Sequence, residues 1–254
     1  MKIIKNILII FLIYILVVIG LPYGIMKYSS YDNYKSSFLN EENIQISMDA
    51  GKNYYPFMLN YNPTNQYSEL RNKDIDLDIY YNFGELGLNG KSKIYQVDTD
   101  MYNAFYGAYA IRYNDDLVDL TNNYNEIIEI SNFDLKTLVL KSIGDSNPFV
   151  KYTIKDGYKD IIINGLDYKV VDSDIIIDGF AHQYQKFYQA YIQYGLPYKT
   201  NESFKTINGF GRMYIHYDEI KNINIILYII APTKNSLQYM EDNFIFSTKI
   251  SNIQ

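Results

Sequence analysis

Only two histidines occur in the 254 residues, His182 and His216, and only His216 is followed closely by acids. It alternates with Arg212 and Tyr214 on one face of a candidate strand and precedes Asp218 and Glu219, residue types suited to acid–base chemistry. Neither histidine belongs to an HExxH or another close pair, so a catalytic zinc would need ligands gathered by folding. His216, Asp218 and Glu219 are the candidate catalytic residues. A polar strand face open to water is the competing reading, and the preferred one.

Oxygen ligands are more plentiful. Asn114, Asp115, Asp116, Asp119 and Asn122 crowd one candidate loop, where oxygen donors suit a hard cation such as Ca²⁺. Asp115, Asp116 and Asp119 are the candidate metal ligands, although acidic residues are common in turns without any ion. Asp74, Asp76 and Asp78 lack the glycine and the bidentate glutamate of a calcium loop and read better as the solvated side of a strand. Asp172, Asp174 and Asp178 before Gly179 make a poorer set still. No cofactor is expected. The sequence has no G-x-S-x-G and no P-loop, and neither GELGLNG nor NGFGRM has the dinucleotide spacing.

Tyrosine numbers 29 and tryptophan none. A ring apolar in body and polar at its tip suits interfaces, which makes Tyr54, Tyr80, Tyr106 and Tyr109 the candidate interaction residues. Strand alternation should send about half of any such set into a core. The accompanying abundance of Ile, Asn and Lys points instead to coding bias, with tyrosine as a general core aromatic.

Charge and cysteine content narrow the classes. Residues 1–27 hold three lysines and no acid, so residues 28–254 carry 20 basic and 29 acidic side chains. Such a surface repels phosphate backbones, and no nucleic-acid partner is expected. The absence of cysteine removes disulfides, thiol nucleophiles and thiolate metal sites.

From Ile7 to Met26 twenty consecutive residues carry no charge. At about 1.5 Å per residue a helix of that length matches a hydrocarbon core of roughly 30 Å. Lys2 and Lys5 precede the run and Lys27 follows it, which puts the amino terminus on the cytoplasmic side. A cleaved signal peptide is the alternative, but no A-x-A-like triplet follows. The expected organisation is a cytoplasmic start at 1–6, a transmembrane anchor at 7–26, a tether at 27–43 and an extracytoplasmic α+β domain at 44–254. The expected location is the cell membrane, single-pass, with the carboxy-terminal domain outside.

The elements of that domain follow from periodicity. DIDLDIYYNF alternates as a half-buried strand, as does the stretch 101–113, where Gly107 marks a bulge or a close neighbour. NEIIEI reads as a short strand and SNFDLKTLVLKSIG as a helix. Asp156-Gly157 signals a hairpin, LDYKVVDSDIIID a long strand, and residues 180–195 a helix, with the alternation of Tyr188, Ala190, Ile192 and Tyr194 as a strand the competing reading. RMYIHY and NINIILYII should pair around Asp218–Lys221, with the apolar run Ile225–Ile230 as a central strand covered on both faces. A helix capped by Thr233 and a last strand FIFSTKI close the chain.

The order over residues 133–250, with the phrases INGLDYK and IIAP, resembles the Mog1/PsbP-like α+β domains of bacterial exported proteins. That resemblance implies an assembly or accessory role and transfers no catalytic residue. The fold class expected is therefore α+β, one amino-terminal transmembrane helix before a mainly antiparallel sheet with two or three helices. The function expected is a membrane-anchored cell-envelope protein with a binding role and a protein or envelope partner. The alternative is an envelope hydrolase working through carboxylates, with or without a divalent metal.

Overall fold

The computed structural model describes residues 2–48, 55–61, 70, 73–83, 99–100, 102–114, 116–141, 145–155, 157, 159–179 and 204–253. The expected helix over 180–195, the glycine-marked loop at 84–90, Tyr54 and Asp115 lie outside them. An α+β fold is present, built on an antiparallel sheet with few helices.

The amino-terminal run forms three consecutive helical segments: α1 (Lys2–Ile15), a π-helical stretch at Leu16–Gly20, and α2 (Leu21–Lys35). The single helix expected over 7–26 is thus divided, with Pro22 opening α2. Among the described residues no helix is long and apolar enough to cross a membrane. Ile4 and Ile7 to Tyr14 are each 44% to 69% exposed, so α1 offers apolar side chains all round and packs none of them into the core.

Residues 28–35, read from sequence as part of a polar tether, are helical and docked. Ser30 Oγ accepts from Met58 N at 3.1 Å, and Asn33 Nδ2 donates to Met58 O at 3.1 Å. Three residues apart, the two side chains share a face of α2 and satisfy both backbone groups of one residue on an edge strand. The chain then turns through α3 (Phe38–Glu41), which Ser37 caps by accepting from Leu39 N at 2.9 Å. Asn43, at φ 57°, ends it in a Schellman arrangement, with Ile44 N donating to Leu39 O at 2.8 Å. Leu39 and Ile44 are fully buried, so the packed domain begins before position 44.

Among the described residues ten strands follow: β1 (Gln45–Ser47), β2 (Tyr55–Tyr61), β3 (Ile75–Phe83), β4 (Phe105–Tyr113), β5 (Val150–Ile154), β6 (Lys159–Ile163), β7 (Leu166–Asp178), β8 (Thr206–Asp218), β9 (Ile223–Ala231) and β10 (Lys249–Ser251). The main sheet runs β2-β3-β4-β9-β8-β7-β5, with β6 also on β7, while β1 and β10 form a separate pair. Every pairing is antiparallel. β9 is buried at all nine positions between β4 and β8, as the unbroken apolar run predicts.

Two expectations change. NEIIEI is no strand, because Ile127 and Ile130 recur at helical spacing and belong to α4 (Tyr124–Phe133), which continues as a π-helix over Asp134–Leu140. Asp156-Gly157 joins no hairpin: β5 and β6 both pair with β7, end after end, at Ser173–Ile177 and Leu166–Val170. The tight hairpin is at Asn164-Gly165, whose φ values of 51° and 90° are those a primed two-residue turn needs. The hairpin between β8 and β9 forms as expected.

Both faces of the sheet are covered. Ile79, Tyr109, Ile215 and Ile226 pack under α4 and its π-helical extension. Tyr106, Tyr214, Ile225 and Leu227 pack under α3 and α5 (Lys234–Met240), the latter followed by a π-turn at Glu241–Ile245. Thr233 caps α5, accepting from Ser236 N at 3.0 Å. Among the described residues the elements expected over 133–250 follow in the expected order, although the last strand is shorter: Phe244 and Ile245 lie in the π-turn.

Candidate functional site

Gly107 on β4 stands opposite Tyr228 on β9. A methyl group there would lie 2.3 Å from Tyr80 O and 2.6 Å from the Tyr228 hydroxyl, so the residue expected to mark a close neighbour does so. The space lets the Tyr228 ring stack on Tyr109, with centroids 4.7 Å apart, beneath the π-helix. Asp134, fully buried, receives hydrogen bonds from the hydroxyls of Tyr81 and, at 2.7 Å, Tyr109. Burial pushes its carboxyl up to about 7, although the hydroxyls of Tyr81, Tyr109 and Tyr228 pull the other way. No motif in the sequence marks this residue. Its signal was a carboxylate seven positions after Ile127 and four after Ile130, on the apolar stripe of a helix.

This cage relocates the interaction candidates. Tyr109 is wholly buried, Tyr106 stacks on Phe244 at 4.9 Å within the second core, and Tyr80 is 6% exposed. With both sheet faces covered, the β4 residues from Phe105 to Ile111 are buried on either side. Tyr80, Tyr106 and Tyr109 are core residues, not a surface patch.

The acids are likewise occupied. Asp74 accepts from Asn114 Nδ2 at 2.8 Å, and Asp76 takes Arg112 at 2.8 Å. Asp78 is not on a solvated face: it is fully buried, accepts from Asn60 Nδ2 at 3.0 Å, and is pushed up to about 7 by burial. Asp172 binds the Arg212 guanidinium through both oxygens at 2.6 and 3.0 Å. Burial would raise Asp172, but Arg212 outweighs it and holds the carboxyl below its usual range. Arg212 also reaches both oxygens of buried Glu241, at 2.9 and 3.0 Å, and Tyr214 donates to the same carboxylate. Asp174 pairs with Lys155, and Asp178 accepts from Phe149 N and Thr206 Oγ1.

The loop 114–122 is held by two asparagines of the β9 hairpin. Asn224 Oδ1 accepts from Leu120 N at 2.8 Å while its Nδ2 donates to Val118 O at 2.7 Å, and Asn222 donates to the carbonyls of Tyr113 and Asp116. Asp119 Oδ1 accepts from Thr121 N at 2.7 Å. Among the described residues no three His, Asp or Glu side chains are arranged to hold a metal ion.

The catalytic candidates do not converge as a triad. Asp218 is buried and its Oδ1 accepts from Lys221 N at 2.9 Å across the hairpin, while Glu219 is exposed in the turn. His216 behaves differently. Register between β7 and β8 ends at Lys169 opposite Ile215, after which β7 stays with β6 alone. Into the opening goes the His216 ring, 6% exposed, with Nδ1 2.9 Å from Asp167 O. A carbonyl only accepts, so Nδ1 carries the proton and, in the neutral ring, Nε2 presents a lone pair. Nε2 has no hydrogen-bond partner among the described residues. The ring lines a cleft of about 510 Å³ whose walls include Asp119, Asp160, Asp167, Tyr168 and Tyr217. That size suits a small ligand.

No protein-family model matches the sequence, and no curated protein matches it. The Mog1/PsbP-like resemblance over 133–250 therefore rests on element order and brings no residue role.

Proposed function

We propose that this chain is a single-span, membrane-anchored protein of the bacterial cell envelope, whose α+β domain lies outside and has a binding or accessory role. The carrying observation is α1, exposed and apolar on every side. A helix apolar all round is stable in a membrane or inside a large core, and α1 touches no core. The uncharged run is shared among α1, the π-helical stretch and the start of α2, which follow one another without a gap. Its twenty residues give roughly 30 Å of rise. Beyond Lys27, Tyr28 and Tyr31 are 70% and 61% exposed on α2, the amphipathic rings favoured at a membrane–water boundary. Docking of α2 on β2 then fixes the domain close to that boundary.

The binding role is preferred to the hydrolase because His216 and Asp218 meet separate backbone groups while Glu219 is exposed in the turn. Single-cysteine labelling tests the topology, and a chain without native cysteine reports each site cleanly. In intact bacterial cells, Ile220→Cys in the exposed hairpin turn should react with a membrane-impermeant maleimide, whereas Ile10→Cys should not react even in opened cells. Ile220→Cys reacting only after cell opening, or full extraction of the chain by alkaline carbonate, would reverse the assignment.

A further inference from the structure

We propose that the cleft between the splayed ends of β7 and β8 binds an alkylammonium group. Its walls carry three carboxylates, Asp119, Asp160 and Asp167, and two phenol rings, Tyr168 and Tyr217. The lysine beside them, Lys169, donates to Asn122 Oδ1 at 3.1 Å. At the back sits the buried His216 ring, whose Nε2 lone pair lacks a protein donor. A buried acceptor left unmet is costly, and a ligand N–H that reaches Nε2 would remove that cost.

The chemistry of the walls selects the donor. An alkylammonium has three N–H bonds, so it can meet Nε2 or a wall carboxylate and leave the others to water, and its charge is attracted by the phenol rings. The negative field of Asp119 already reaches Tyr217, whose hydroxyl is raised first by burial and then by that carboxylate. A metal ion fits less well, since no three His, Asp or Glu side chains among the described residues are arranged around one point. An anion would meet three like charges. The group is supplied either by a free diamine or by a lysine side chain of a partner, and one neutral aliphatic stem serves both.

This goes beyond the anchored binding role and does not depend on topology, so the full chain in detergent micelles suffices. Histidine-selective isotope labelling gives two imidazoles to follow, His182 and His216. Putrescine should shift the His216 imidazole resonances saturably below 10 mM, while 1,4-butanediol at the same concentration leaves them in place. A blocked Gly-Lys-Gly tripeptide, compared with blocked Gly-Gly-Gly, distinguishes the two sources by which amine saturates at lower concentration. Asp160→Asn should raise the putrescine Kd at least fivefold with the melting temperature unchanged, and His216→Gln, followed by titration calorimetry because it removes the imidazole reporter, should raise it tenfold. Shifts equal to those from sodium chloride at matched ionic strength would overturn the proposal. So would no saturable shift with either amine, or saturation by Zn²⁺ alone.

Discussion

Asp134 and Glu241 occupy matching positions on opposite faces of the sheet, and they are held in opposite ways. Each is buried, each is the first residue of a π-helical segment that extends an α-helix, and each receives tyrosine hydroxyls from the strands beneath. The wider π-turn re-aims a residue relative to the α-helix before it, and here both times toward the sheet. Around Asp134 the partners are neutral hydroxyls, and the carboxyl rises to about 7. Around Glu241 stands Arg212, itself clasped by Asp172. A helix can thus be pinned through a buried acid either by letting the acid keep its proton or by supplying a cation. The first route is favoured by acid, whereas in the second acid harms Asp172, whose carboxyl Arg212 holds low.

The largest effect expected is on the room that makes the hydroxyl cage possible. Gly107→Ala places a methyl against the Tyr80 carbonyl, which belongs to the backbone ladder and cannot swing aside. A loss on the order of 4 kcal/mol is expected in urea unfolding, together with altered tyrosine near-ultraviolet dichroism. Little change in either would mean that the cage tolerates displacement and is not the counterpart of the ionic site.

Next comes the ionic site. Arg212→Met leaves Glu241 buried without its cation and should cost about 3 kcal/mol, whereas adding Glu241→Gln to it should recover most of that loss. Equal damage in the single and double variants would assign Arg212 a packing role only.

The smallest effect is the most diagnostic. Asp134 and Asp78 have folded-state pKa values above their unfolded ones, so the folded chain binds more protons between about pH 4 and about pH 7, and stability falls as pH rises through that window. At about 1.4 kcal/mol per pH unit, each acid removes about 2 kcal/mol between about pH 5.5 and about pH 7. Asp172 has the opposite sign, because its folded pKa is lowered: its contribution is present above the unfolded pKa and disappears on acidification through the folded one. Urea midpoints measured across pH should show the neutral-range decline, and Asp134→Asn should remove about half of it. An unchanged slope in that variant would place the proton uptake elsewhere.

Local patterns predicted the sheet better than the sites. The continuous run of β9 reports burial directly, whereas the alternation of β3 locates its inward face at Ile75, Leu77, Ile79 and Tyr81 and leaves the burial of Asp78 and Tyr80 unannounced. NEIIEI misled because six residues of mixed pattern fit both periods, and the helix became evident only with the residues after it. The hairpin at Asn164-Gly165 was overshadowed by the equally good signal at Asp156-Gly157, because a turn motif does not say which strands will pair. Aspartates and tyrosines were the least readable. Asp78 and Tyr80 sit on the side of β3 that seemed polar, and only the distant α3 and β2, which contribute Ser37 and Asn60, make it an interior. His216 was singled out for its neighbours in sequence, yet its surroundings come from β6, β7 and the loop before α4.

Ser30 and Asn33 seize the two backbone groups of Met58 at the midpoint of β2, not at a chain end. Tension applied through the amino-terminal helix would therefore enter the sheet at the Met58–Tyr80 pair, with ladder on either side of it. Neighbouring rungs would share the strain, where a pull on a loose terminus would break them singly. Attachment at that point makes β2 a brace against mechanical stress as well as a border of the main sheet.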